Sequence, residues 1–182
     1  MQNLPVGADA IPTLMEIASR CDHIDVKTFH GQGRMDAFIA GFISYYPAWI
    51  KALYGVRWGF VRLLGMKQTG IPDEKLTMQP QDVPMKRGQP ATFFTVVEAE
   101  VERYWLVSAS DKHLSAFLCI LNEQGESDSR IFTVITLVEY WHWTGPVYFN
   151  VIRPFHHLVV NEMGKAGLRA SALNELSGTA HG

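Results

Sequence analysis

Apolar residues recur at three- and four-residue steps over residues 11–19, where Leu14, Ile17 and Ala18 share a side and Pro12 suits a first turn, so the spacing predicts a short helix. Residues 23–29 change to a period of two, with Ile24 and Val26 opposed to Asp25 and Lys27, and read as a first strand closed by Gly31-Gln-Gly33. Helical spacing returns over 35–44 and, from Pro47, over 47–66. A polar connection follows, with room for a short strand near 83–86. Four β-rich runs, 91–101, 103–110, 113–121 and 130–143, are separated by breaks short enough for hairpins. Thr144-Gly145-Pro146 ends the last run, and 147–169 is helical again through Ile152, Phe155, Val159 and Met163, with a kink expected at Pro154.

Strand, helix pair, antiparallel meander and long final helix make an α+β protein rather than a parallel α/β one. This is also the element order of the helix-grip fold, a curved antiparallel sheet with a helix pair and a long C-terminal helix packed across it. One domain is expected over 1–170, with 171–182 as a flexible tail.

Composition narrows the classes. The 182 residues are 47% hydrophobic and 19% charged, with a formal net charge of −2. Such a chain can bury a core, which argues against disorder, and it lacks the basic excess of a nucleic-acid binder. Cys21 and Cys119 have no metal-ligand spacing, so reduced thiols in a cytoplasmic protein are expected, with neither metal nor cofactor. The longest uncharged stretches, 37–50 and 140–152, are shorter than the roughly 18 apolar residues a membrane span needs, and no secretory leader is visible.

Three segments carry a resemblance: Trp58-Gly-Phe-Val-Arg-Leu-Leu-Gly65, Ser110-Asp-Lys-His-Leu114 and Gly145-Pro-Val-Tyr-Phe-Asn-Val-Ile-Arg-Pro-Phe-His-His157. In these the chain resembles the bacterial family catalogued as domain of unknown function 2867, placed among the helix-grip, START-like (Bet v 1-like, SRPBCC) proteins. The resemblance implies a helix-grip domain and a pocket for a hydrophobic ligand, and no established activity. Many family members carry an acidic residue and a glycine in the strand before the Asp-x-His-Leu hairpin. Here that strand reads Arg103-Tyr-Trp-Leu-Val-Ser-Ala109, so nothing carries over to it.

Candidate chemistry is sparse. Asp111 and His113 are two apart at a strand entry, where a carboxylate can orient an imidazole as a general base; a turn cap beside a carbonyl-bound histidine is the plainer reading of the pair. Glu139 becomes a buried acid if its strand register turns it inward beside Leu137 and Trp141, and a surface residue otherwise. His156, the histidine that matches the family pattern, is expected at the edge of the last helix's buried stripe, near a carbonyl freed by Pro154. Adjacent helical positions diverge, so only one of His156 and His157 should face the sheet. Glu98, Glu100 and Glu102 read as a solvated strand face, which turns Phe93, Val97, Ala99 and Val101 inward. Residues 37–72 hold no acid but include Lys51, Arg57, Arg62 and Lys67 among aromatics.

The leading expectation is a protein binding a small apolar molecule or lipid between sheet and final helix. Its walls would be Phe93 or Phe94, Trp105, Phe117, Leu137, Trp141, Tyr148, Ile152 and Phe155, with polar orientation from His113 and His156. Two alternatives stand beside it: a cyclase- or dehydratase-like enzyme using His113 with Asp111, or Glu139, and a peripheral membrane or partner-binding module acting through the basic aromatic helix 47–66.

Overall fold

A computed structural model of the chain describes residues 4–50, 77–110, 114–127, 129–141 and 144–179. The asymmetry of the basic aromatic helix therefore lies outside the described residues beyond Ile50, as do Asp111 and His113.

The meander forms as its alternation predicts. Strands β1 (His23–Gly31), β2 (Pro90–Ala91), β3 (Phe94–Glu100), β4 (Tyr104–Ser110), β5 (Leu114–Gln124) and β6 (Arg130–Tyr140) build one antiparallel sheet in the order β1-β6-β5-β4-β3-β2. The first strand thus returns beside the last, with Asp25 opposite Thr136 and Lys27 opposite Val134.

Both faces of this sheet are covered. On one side lies helix α1 (Pro12–Arg20), preceded by a 3₁₀ turn at Val6–Ala10; Ile11, Leu14 and Ile17 pack there on Leu106, Phe117, Cys119, Ile135 and Leu137. On the other lies α2 (Met35–Ser44), apolar nearly all round because it sits between layers, and Phe38 stacks on Phe132 of β6 with ring centroids 4.2 Å apart. The last helix, α3 (Thr144–Thr179), packs over α2 and β1 on that same side. It contains Pro154 and continues past the expected end at Arg169.

Small residues let α2 and α3 touch backbone to backbone. A β-carbon placed on Gly167 would lie 2.8 Å from the Phe38 carbonyl oxygen, and one on Gly41 would lie 2.9 Å from the Ala166 carbonyl oxygen. Only hydrogen fits at either position.

The solvated row of three glutamates does not form. Register slips between Val96 and Glu98, so Val97 turns into the α1-side core while Ala99 packs on the α2 side, and Phe93 and Val101 are exposed rather than inward. Glu102 falls in the β3–β4 turn at φ 59°, where its carboxylate accepts the Met35 backbone N–H at 3.1 Å and the Asn122 amide at 3.2 Å. It caps α2 from another part of the chain and places negative charge at that helix's N-terminus. Replacing Glu102 with Ala should cost about 1–2 kcal/mol, read as a lower urea midpoint with unchanged slope, and Glu102→Gln should lose less. Equal stability of all three proteins would show that the cap contributes nothing.

Candidate functional site

Three polar residues of β1, His23, Asp25 and Lys27, are drawn partly out of water, whereas Thr28 and His30 are exposed. In the sheet's register His23, Asp25, Lys27 and Phe29 project to the α2/α3 side, and Ile24 and Val26 to the α1 side. Since α3 crosses above β1, the row His23-Asp25-Lys27 is enclosed beneath the first half of that helix. Thr136, directly across from Asp25 on β6, joins it, with Leu118 of β5 next in line.

From above, α3 contributes Phe149, His156 and His157. The buried Phe149 ring lies 4.7 Å from the His23 ring and 6.1 Å from each of the Tyr140 and His156 rings. Both histidines reach the strand: Asp25 Oδ2 is 4.0 Å from His156 Nε2 and 3.3 Å from His157 Nδ1, with Lys27 Nζ 3.9 Å away. The expectation that only one histidine faces the sheet is corrected. β1 is an edge strand under the helix, so adjacent positions flank its carboxylate from two directions.

Burial sets the charge state of this cluster. It lowers the His156 pKa to about 4, assisted by His157, His23 and Lys27 and opposed by Asp25. His23 is lowered too, first by burial and then by Arg153. Burial, with Asp22 adding to it, raises Tyr140. At neutral pH the His156 imidazole is therefore uncharged, and its Nε2 donates or accepts one hydrogen bond according to tautomer.

Those bonds are not made among the described residues. Among the described residues six buried side-chain N or O atoms lack a hydrogen-bond partner, and four of them are His23 Nε2, Asp25 Oδ2, Thr136 Oγ1 and His156 Nε2. Each such group costs about 1–3 kcal/mol when nothing pairs with it. These four belong to neighbouring or facing residues of β1, β6 and α3, and buried polar groups left without a protein partner are ordinarily paired by water or a ligand. Among the described residues no group of three or more His, Cys, Asp or Glu is arranged to hold a metal ion.

A family model described as "Protein of unknown function (DUF2867)" matches residues 17–163. The chain belongs to this family. The DUF2867 match begins within α1, ends within α3 and spans every residue of the cluster. A hypothetical protein of Helicobacter pylori, jhp0584, known from a 1.88 Å crystal structure, is 12% identical, with 94% of this chain and 97% of that chain covered at a TM-score of 0.43. No curated protein matches the chain.

The residues expected to form one ligand wall are divided between two layers. Trp105 is fully buried on the α2/α3 side, its indole N–H donating to the Pro84 carbonyl at 2.8 Å, and Phe94 packs nearby. Phe117 and Leu137 are buried on the α1 side, so they cannot share a surface with Trp105. Trp141 is 60% exposed and donates to Ser115 Oγ at 3.0 Å; Phe155 is 44% exposed on α3. Tyr148 and Ile152 lie in α3, with side chains outside the described set. Glu139 faces the α1 side, where Arg20 Nε donates to its Oε2 at 3.2 Å, and so does not meet His156. Burial pushes the Cys21 thiol up to about 11 and raises the wholly buried Cys119 further, leaving neither as a nucleophile.

Reading the sequence alone picks out His156 but passes over His23, Asp25 and Thr136 as site residues. The signal that finds them is a conflict of demands. Apolar positions in both α1 and α3 each require a sheet face, so over its first half β1 is covered on both sides and His23, Asp25 and Lys27 fall beneath a helix.

Proposed function

We propose that the protein binds a small, largely apolar molecule whose polar end docks at His23, Asp25, Thr136 and His156, in the layer between the sheet and α3. The observation carrying this reading is that four buried polar atoms without a hydrogen-bond partner belong to residues that face one another across β1, β6 and α3. Leu118 and Phe149 beside them supply the apolar surroundings such sites use. The return of β1 to β6 at the end of the meander, the helical segment between β1 and β2 and the long final helix across the sheet support a helix-grip assignment, a fold that carries ligands in this layer.

Native mass spectrometry after equilibration with a lipid and metabolite extract tests the reading. The wild type should retain a small-molecule adduct, and Thr136→Val should lose it while gaining about 1 kcal/mol of stability, because a methyl replaces an unpaired hydroxyl of the same shape. A wild type that retains nothing, or a Thr136→Val protein that is less stable and binds as before, would defeat the proposal.

A further inference from the structure

The same four atoms restrict what the polar end can be. Asp25 Oδ2 only accepts hydrogen bonds, so the ligand group beside it must donate. Thr136 Oγ1 either donates or accepts, and so does each neutral imidazole nitrogen according to tautomer. The gap between Asp25 Oδ2 and His156 Nε2, 4.0 Å, is too long for a direct hydrogen bond and short enough for one interposed oxygen to bond both.

Charge excludes the ionic choices. A ligand carboxylate would set its oxygens against Asp25, where burial keeps the His156 and His23 imidazoles uncharged at neutral pH and the third imidazole, His157, already faces Asp25 Oδ2 at 3.3 Å. A ligand ammonium would meet Lys27 Nζ, already 3.9 Å from the same carboxylate oxygen, with Arg153 close enough to act on His23. Asp25 Oδ2 thus has Lys27 Nζ at 3.9 Å and His157 Nδ1 at 3.3 Å but no aligned hydrogen bond, and what it lacks is a neutral donor on its open side. A hydroxyl donates once and accepts twice, which serves the carboxylate oxygen and an imidazole N–H together.

Resting on the binding reading above, we infer that the ligand is an uncharged alcohol whose hydroxyl bridges Asp25 Oδ2 and His156 Nε2 beneath Phe149.

Three probes with one ring and three heads decide the point: cyclohexanol, cyclohexanecarboxylate and cyclohexylammonium, each titrated at pH 7 into the wild-type protein with histidine rings labelled for NMR. Cyclohexanol should shift the His156 and His23 ring signals saturably, with a Kd on the order of millimolar for so few heavy atoms. The two ions should bind at least about tenfold more weakly, the loss expected when a charge meets an already compensated site. Saturable shifts from either ion at equal or lower concentration would overturn the alcohol while leaving the site standing. Absence of any shift at His156 or His23 from all three probes would overturn the site and the alcohol together.

Discussion

Acidification from pH 6.5 to pH 4 should remove about 3 kcal/mol of folding stability through His156 alone. Its imidazole takes up a proton near 6.5 when the chain is unfolded but only near 4 in the folded protein. Between those values the unfolded state holds more protons, so stability rises with pH across that interval, by about 1.4 kcal/mol for each pH unit. Burial beneath α3 is the main cause. His157, His23 and Lys27 add positive charge around the ring, and Asp25 recovers only part of the cost. His23 is displaced in the same direction and steepens the loss. Urea unfolding at half-unit pH intervals would measure this dependence, and His156→Leu should flatten it while raising stability at the acid end. Parallel curves for wild type and variant would show that His156 titrates normally in the folded state.

The second large effect belongs to the crossing of α2 and α3. Alanine normally stabilises a helix by up to about 1 kcal/mol over glycine. Here the sign should reverse. A β-carbon on Gly41 would meet the Ala166 carbonyl oxygen at 2.9 Å and the Gly167 Cα at 3.1 Å; one on Gly167 would meet the Phe38 ring at 2.9 Å as well as its carbonyl. These neighbours are backbone and a ring stacked in the core, so they yield only if the helices part. Gly41→Ala and Gly167→Ala should each cost about 2–3 kcal/mol, the range of overpacked cores, while Asn174→Ala on the exposed end of α3 should change stability by a few tenths. A gain in thermal stability for either glycine variant would mean that the helices sit further apart than described.

How far the sequence disclosed the protein differs from element to element. Residues 35–44 were legible to the boundary, since α2 is apolar on every side and ends where Ser44 meets Tyr45 and Tyr46. The meander was legible from its period, and its β3 register was not. A bulge at Val97 and a turn residue at Glu102 break the parity that assigned the glutamates to one face, and neither leaves a mark in a pattern of apolar and polar positions. α3 extends beyond its last strong apolar spacing because Gly164, Gly167 and Ser171 pack through closeness rather than through bulk. The site was visible only as a location. Its layer between sheet and last helix followed from element order, but the partners of His156 depend on which strand lies beneath that helix, and that is decided by β1 pairing with β6 across most of the chain.

At the rims of the sheet the same topology governs self-association. An outer strand leaves one row of backbone N–H and C=O groups free to recruit another chain. The β2 rim is only two residues long and includes Pro90, too little to template a partner strand. The β1 rim is nine residues long, and there His23, Asp25, Lys27 and His30 interrupt the apolar run that intermolecular pairing would exploit. The polar row beneath α3 therefore also breaks up the longer rim as a template for pairing with another chain.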